Sequence, residues 1–122
     1  DPLDHVIHAE RYRVPHSVME VCAATRDKGG RVIAVGTTAA RALESAATTG
    51  ESEGNTNLFI YPGYEWKVVD RLMTNFHMPR TTLLLMISSF VGPRWRDIYA
   101  EAIERGYRFL SFGDAMLLDR YA

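Results

Sequence analysis

The sequence predicts an α/β fold in which short strands alternate with helices and some of the strands pair in parallel. Two observations lead to this prediction. In some segments apolar residues alternate with polar ones or form short β-branched runs, and in the segments between them they recur at helical spacing. Glycine and proline residues mark the boundaries between the two kinds of segment.

The first half of the chain is predicted to contain two strands and two helices. Residues 5–14 alternate as a strand does, and the helix that follows is expected to begin with Ser17 as its N-cap and to end at Gly29. Residues 31–35 are rich in β-branched side chains and predict a short buried strand. Residues 39–47 are rich in alanine and predict the second helix.

The middle of the chain has weaker patterns. Residues 48–57 are polar and predict a flexible loop. Residues 58–61 and 66–72 have the composition of short strands, and a loop that contains a proline is predicted over residues 74–80.

The last third predicts two helices and one strand. A helix capped by a threonine is expected over residues 81–91, and the Gly-Pro pair that follows ends it. Residues 94–105 form an amphipathic pattern that places Trp95 and Tyr99 in the core. Residues 107–112 predict the last strand.

The composition excludes several classes of protein. A chain of 122 residues is long enough for one domain but too short for two of ordinary size. Its one cysteine, Cys22, excludes an internal disulfide and a thiolate-rich zinc site, and we expect a buried, unreactive thiol. No apolar run approaches the ~18 residues of a membrane span. The net charge of −1 gives no general attraction to RNA, so an RNA-binding surface would be a local patch.

The segment Gly36-Thr37-Thr38 joins a predicted strand to a predicted helix and is the best candidate for a binding site. The N-terminus of a helix presents free N–H groups and a partial positive charge. Thr37 or Thr38 can cap the helix or bind an anion, and Arg41, one turn further on, can reach the same point. The expected guest is a carboxylate or a phosphate. The alternative is an ordinary turn with a threonine cap.

His8 and Glu10 share one face of the first predicted strand and are suited to acid–base chemistry. The alternative for this pair is a structural hydrogen bond. Because His5 points to the other face, the strand offers too few ligands for a metal ion.

The loop over residues 74–80 brings together Asn75, Phe76 and His77. Asn75 can read the edge of a base, Phe76 can stack on one, and His77 can move a proton. The alternative is that Phe76 anchors the loop in the core and His77 is a surface residue. Tyr61 belongs to a Tyr-Pro-Gly-Tyr segment that is either a stacking platform or an aromatic turn.

Five segments resemble motifs of the S-adenosylmethionine:tRNA ribosyltransferase-isomerase family, and they occur along the chain in the order that the family has. Residues 29–44 are similar to its GGRVIAVGTT-x-x-R-x-LE stretch and residues 59–64 to its FIYPGY element. Residues 70–79 resemble D-x-L-x-TNFH-[LM]-P, residues 107–118 resemble YRF-x-S-[YF]-GDAML, and residues 5–15 resemble H-x-x-HxE-x-[YF]-x-VP. The resemblance covers nearly all of this chain but only the C-terminal portion of a family member.

The resemblance implies that residues 1–122 are a single α/β piece of the family's larger, barrel-like major domain, without its second, all-β domain. It implies a cytoplasmic enzyme that transfers the ribosyl unit of S-adenosylmethionine to 7-aminomethyl-7-deazaguanine in tRNA and isomerises it. The product is epoxyqueuosine, and adenine and methionine are released. S-adenosylmethionine is then a consumed substrate, and no metal or cofactor is expected. Because the chain lacks an initiator Met, we expect a missing N-terminal part, without which the piece is inactive.

The resemblance also suggests roles for the candidate residues. Catalysis is assigned to three of them, namely His8, Glu10 and His77. Substrate binding is assigned to seven, namely Gly36, Thr37, Thr38, Arg41, Tyr61, Asn75 and Phe76. Two alternatives remain, a non-catalytic tRNA-binding or assembly module that kept the fold, and a different nucleoside-handling enzyme with the same anion pocket.

Overall fold

A computed structural model of the chain describes residues 10–56, 60, 62–76, 82–107 and 114–120. Their helices and strands follow in the order β1 (Glu10–Arg13), α1 (His16–Asp27), β2 (Ile33–Val35), α2 (Thr37–Thr49), β3 (Glu53–Thr56), β4 (Arg71–Asn75), α3 (Thr82–Val91), α4 (Trp95–Glu104) and β5 (Ala115–Asp119). A short 3-10 turn, Gly92–Arg94, joins α3 to α4.

The described strands form two sheets. In the three-stranded sheet β4 lies in the centre, parallel to β2 and antiparallel to β5, so that Leu72 lies opposite both Ala34 and Leu118. In the two-stranded sheet β1 pairs antiparallel with β3. The predicted α/β class with some parallel pairing is therefore confirmed.

Among the described residues, helices cover one face of the three-stranded sheet. Ala34, Leu72 and Leu118 point to that face and belong to a core completed by α2, α3 and α4. The other face carries Val35 and Met73, whose exposed fractions are 67% and 40%. The prediction of a buried strand over residues 31–35 was therefore only half right, because burial alternates along β2.

Helices α3 and α4 confirm the predicted helices of the last third. Phe90 of α3 and Tyr99 of α4 are buried, and Trp95 packs against the same core. Ile103, near the end of α4, is exposed.

Three of the observed strands differ from the sequence predictions. Strand β3 lies inside the segment predicted to be a loop, because its Glu-Gly-Asn-Thr sequence has no apolar alternation and its order comes from pairing with β1. Strand β4 begins at Arg71, near the end of the predicted strand over residues 66–72. Strand β5 was not predicted. Within the predicted strand over residues 58–61, only residue 60 is described, and it is not in a strand. Of the strand predicted over 107–112, residues 108–112 lie outside the described residues.

Helix α1 differs from its prediction at both its start and its packing. It begins at His16 after Pro15, and no side chain caps it, so the expected Ser17 cap is absent. None of its residues is buried, and Cys22 is half-buried rather than buried. Partial burial still raises the pKa of the Cys22 thiol, which favours the neutral, less reactive form.

The buried carboxylate of Glu44 on α2 holds residues 64–69, the segment that precedes β4. Its Oε2 accepts hydrogen bonds from the backbone N–H groups of Val68 and Val69, at 2.8 and 3.0 Å. Its Oε1 accepts from the N–H of Lys67 at 2.7 Å and from the hydroxyl of Tyr64 at 2.9 Å. Consecutive N–H groups that converge on an anion form a nest, and this nest ties residues 64–69 to α2.

The neighbours of the nest extend the connection to other elements. The indole N–H of Trp66 donates to the hydroxyl of Ser89 on α3 at 3.1 Å, and its ring packs edge-on against Phe90. Burial raises the pKa of the Tyr64 phenol above its ordinary value, so this hydroxyl stays protonated and remains a donor to Glu44.

We predict that Glu44→Ala lowers the free energy of unfolding by about 3 kcal/mol or more, because three backbone N–H groups lose their acceptor. Glu44→Gln should cost less, since one amide oxygen remains. Urea denaturation measures both effects. Glu101→Gln is the matched control, because Glu101 makes only an exposed ion pair with Arg105 and should change stability by less than about 1 kcal/mol. Equal losses from the Glu44 and Glu101 variants would contradict the structural role of the nest.

Candidate functional site

The candidate site lies where the parallel strands β2 and β4 end. Their carboxyl ends are at the same edge of the sheet, since Val35 lies opposite Met73. The backbone N–H of Gly36 donates to the carbonyl oxygen of Met73 at 2.7 Å, which fixes the turn from β2 into α2. Ligands of α/β proteins commonly bind at this edge.

An open cleft of about 430 Å³ occupies this edge. Its walls come from the β2–α2 turn, from the end of β4 and from the start of β5. The lining residues are Val35, Gly36, Thr37, Thr38, Met73, Thr74, Asn75 and Ala115. Four of the predicted binding residues, Gly36, Thr37, Thr38 and Asn75, are therefore brought together although almost 40 positions separate them in the sequence.

The start of α2 is suited to an anion. Its N-cap is Gly36, with φ +93° and ψ 150°, and no side chain makes a capping hydrogen bond. The prediction that Thr37 or Thr38 caps the helix was therefore wrong, because the helix already begins at Thr37. The N–H groups of a first helical turn have no partner within the helix, and here they lie beside the cleft with the partial positive charge of the helix N-terminus.

Arg41 lines a second, smaller cleft rather than the first. This cleft of about 200 Å³ lies between β1 and the first turns of α2 and is lined by Arg11, Tyr12, Arg13, Thr38, Arg41, Ala42 and Thr56. Thr38 lines both clefts, so they adjoin at the start of α2. The structure thus places Arg41 and Asn75 in different clefts.

Phe76 is a core residue in the structure. Its side chain is only 3% exposed, and its ring packs against the rings of Tyr99 and Tyr107 with centroids 5.7 and 5.8 Å apart. The predicted stacking of Phe76 on a base is therefore corrected to the core alternative. By burying its ring, Phe76 instead fixes the end of β4 and with it the position of Asn75.

The remaining candidates fall outside what the structure describes. His8, Tyr61 and His77 lie outside the described residues, and for Glu10 only the backbone is described, as the first residue of β1. The Pro62-Gly63 turn next to Tyr61 is present, with φ +102° at Gly63.

Several residues at the two clefts had not been singled out from the sequence. Val35, Met73 and Ala115 line the first cleft, and Arg11 and Arg13 line the second. Ala115 could not be found because β5 was not predicted. The alternation of Arg11 and Arg13 along the first strand was visible in the sequence, but their position in one cleft with Arg41 of α2 was not.

Two classes of site have no counterpart in the described part of the chain. No group of three His, Cys, Asp or Glu side chains there is arranged to hold a metal ion. None of the described helices combines the length and the apolar character needed to cross a bilayer.

The described residues thus form an α/β unit with an open cleft at the carboxyl edge of its parallel strands. A family profile described as queuosine biosynthesis protein matches residues 1–118. The chain belongs to this family.

The relatives with similar sequences have the same name or nearly the same name. The S-adenosylmethionine:tRNA ribosyltransferase-isomerase of Polynucleobacter necessarius is 54% identical over 117 residues, which are 95% of this chain. The protein of that name from Thiobacillus denitrificans is 53% identical over 96% of this chain. The crystal structure of the S-adenosylmethionine tRNA ribosyltransferase from Thermotoga maritima matches 88% of this chain with 49% identity and a TM-score of 0.80.

The match covers only part of each relative. The chain spans 34% and 35% of the lengths of the two curated relatives and 40% of the Thermotoga chain.

We predict that Gly36→Ala lowers the free energy of unfolding by about 1 to 3 kcal/mol, because an L-residue is strained at this backbone conformation. Crowding does not contribute, since a Cβ at this position would have no atom within 4 Å. Gly54→Ala is the control, because its Cβ would make ordinary contacts with Tyr12 at 3.6 Å or more and no positive φ is involved. Thermal or urea denaturation distinguishes the two, and equal stability of both variants would contradict the strained turn.

Proposed function

We propose that this chain is part of an S-adenosylmethionine:tRNA ribosyltransferase-isomerase. In the proposed reaction the ribosyl unit of S-adenosylmethionine is transferred to the aminomethyl group of 7-aminomethyl-7-deazaguanine in tRNA. The sugar is rearranged to the cyclopentane of epoxyqueuosine, and adenine and methionine depart. S-adenosylmethionine is consumed as a substrate, and the proposal includes neither a metal ion nor a resident cofactor.

The observation that carries this proposal is the cleft at the start of α2. A helix N-terminus without a side-chain cap meets Thr37, Thr38 and Asn75 there. Free N–H groups, two hydroxyls and a partial positive charge suit a carboxylate. We therefore assign the cleft to the methionine carboxylate of S-adenosylmethionine. Names of relatives at 54% and 53% identity support the same substrate.

The apolar lining of the cleft has a second use in this proposal. Val35 and Met73 place aliphatic and thioether surface next to the polar start of α2. The methionine half of S-adenosylmethionine has a similar division, with the charged amino-acid group at one end and two apolar methylene groups that lead to the sulfonium. The cleft therefore matches the amino-acid half of S-adenosylmethionine better than it matches a free phosphate.

The chemistry also needs a base for the acidic C–H beside the sulfonium and an acid for the departing adenine. We retain His8, Glu10 and His77 as the candidates for these two tasks. Backbone pairing of β1 with β3 places Glu10 opposite Thr56, and Thr56 lines the second cleft. Asn75 is assigned to binding a base edge.

The substrates and the remaining chain complete the proposal. We propose that the chain works as the C-terminal third of a longer cytoplasmic protein whose remaining part supplies the other walls of the cleft. The chain's coverage of about a third of its relatives supports this division.

The proposal predicts the products of a complete protein that carries this chain. Incubated with S-adenosylmethionine and tRNA that bears 7-aminomethyl-7-deazaguanine, it should release adenine and methionine in equal amounts, matched by epoxyqueuosine. Mass spectrometry quantifies all three. A folded protein that binds tRNA without turnover would indicate the non-catalytic binding module instead. Adenine release without modified tRNA would indicate a different nucleoside-handling enzyme.

We further predict that Thr38→Val in the same complete protein raises the KM for S-adenosylmethionine roughly tenfold, because one hydrogen bond to a charged group is worth about 1.5 kcal/mol. Steady-state kinetics measures the change. Thr48→Val is the control, since Thr48 lies exposed in the last turn of the same helix. An unchanged KM for the Thr38 variant would contradict the assignment of the methionine carboxylate to this cleft.

A further inference from the structure

We infer that the second cleft, between β1 and α2, is a binding site for phosphate groups of an RNA backbone. This inference rests on the proposed function, since it names the surface that would receive the tRNA next to the S-adenosylmethionine cleft. It concerns Arg11, Arg13 and Arg41, whose side chains line one space of about 200 Å³.

The charge balance of the cleft favours an anion. Arg11 and Arg13 share a single carboxylate, that of Glu53 on β3, at 3.5 and 4.0 Å. These distances are long for ion pairs, and the side chains of the two arginines are 68% and 76% exposed. One carboxylate shared at these distances leaves the two guanidinium groups able to take a further anion. Arg41 lines the same cleft from the helix side.

Hydrogen bonds hold the strand that carries Arg11 and Arg13 against α2. Tyr12, between Arg11 and Arg13, is buried, and its hydroxyl lies 2.7 Å from the hydroxyl of Thr49 on α2. The same hydroxyl donates to the carbonyl oxygen of Glu51 at 3.2 Å. These bonds fix β1 against α2 and hold the two walls of the cleft apart at a set distance.

The spacing of the arginines suits a chain of phosphates better than a single ion. Residues two apart on a strand point to the same face about 6.6 Å apart. That distance is comparable with the separation of successive phosphates in an extended nucleic-acid strand. Arginine binds phosphate oxygens in a bidentate manner.

The position of the cleft agrees with this role. Thr38 lines both clefts, so a polynucleotide held by the arginines passes beside the site assigned to S-adenosylmethionine. A nucleotide whose neighbouring phosphates bind in the second cleft can then extend its base toward the first. The low net charge of the chain is compatible with such a local patch.

The test uses the complete protein with the double variant Arg11→Gln/Arg13→Gln. We expect the KM for tRNA to rise roughly tenfold, with kcat and the KM for S-adenosylmethionine unchanged, because phosphate contacts contribute to RNA affinity and not to the chemical step. The slope of log affinity against log salt should fall by about 0.7 for each arginine removed. Arg105→Gln is the matched control, because Arg105 is likewise an exposed arginine paired with one glutamate.

A second variant should change the affinity for RNA in the opposite direction. Glu53→Gln removes the carboxylate that competes for Arg11 and Arg13, so it should tighten RNA binding and steepen its salt dependence. A variant that merely damaged the fold would not improve binding. Equal effects of Arg11→Gln/Arg13→Gln and Arg105→Gln, or a changed KM for S-adenosylmethionine with an unchanged KM for tRNA, would overturn the inference.

Direct binding separates this inference from the proposed function. Fluorescence anisotropy with a labelled tRNA anticodon stem-loop measures RNA affinity even if no turnover occurs, so loss of affinity in the double variant supports the cleft independently. Inorganic phosphate is the competing probe. If millimolar phosphate displaces the RNA from the native protein at constant ionic strength, the cleft is a site for small anions and the inference fails.

Discussion

The structure depends most on the carboxylate of Glu44. A charged group with no exposed surface is costly unless all its acceptor positions are used, and here four donors converge on it. Three of them are backbone N–H groups of residues 67–69, which a single residue separates from the start of β4 at Arg71. The nest therefore sets where β4 begins, and β4 carries Asn75 to the edge of the sheet. The side chain of Glu44 on α2 thus positions β4, although it is not part of the sheet.

Helix α2 connects this interaction to both clefts. It packs against β1 of one sheet and against β2 and β4 of the other. Its first turn borders the first and the second cleft, while Glu44 holds it two turns further on. Because Ala40 and Ala46 are buried along the same helix, close packing of small side chains allows both sheets to approach it. The two clefts therefore share the first turns of one helix as a wall.

The sequence predicted the parts of the fold whose signal is local. The helices were visible from glycine and alanine content and from the spacing of Trp95 and Tyr99, and the turn at Gly36 from the strand and helix on either side of it. The strand β3 has no apolar pattern, and residues 67–69 donate their backbone N–H groups to Glu44 instead of forming the strand that their composition suggested. Such outcomes are decided by partners far along the chain. For the same reason Phe76 was ambiguous from sequence, because only the positions of Tyr99 and Tyr107 show that its ring is in the core.

The exposed face of the three-stranded sheet affects the binding of fluorescent dyes to this chain. Ile33, Val35, Met73 and Leu117 leave an apolar strip exposed across β2, β4 and β5 in the folded state. Anilinonaphthalene sulfonate binds exposed apolar surface, and its fluorescence is commonly taken as a sign of a partly unfolded protein. On this chain the folded form itself offers the dye a surface. A dye-based melting curve would start from a high baseline, whereas far-ultraviolet circular dichroism would follow the loss of α2, α3 and α4 without that interference.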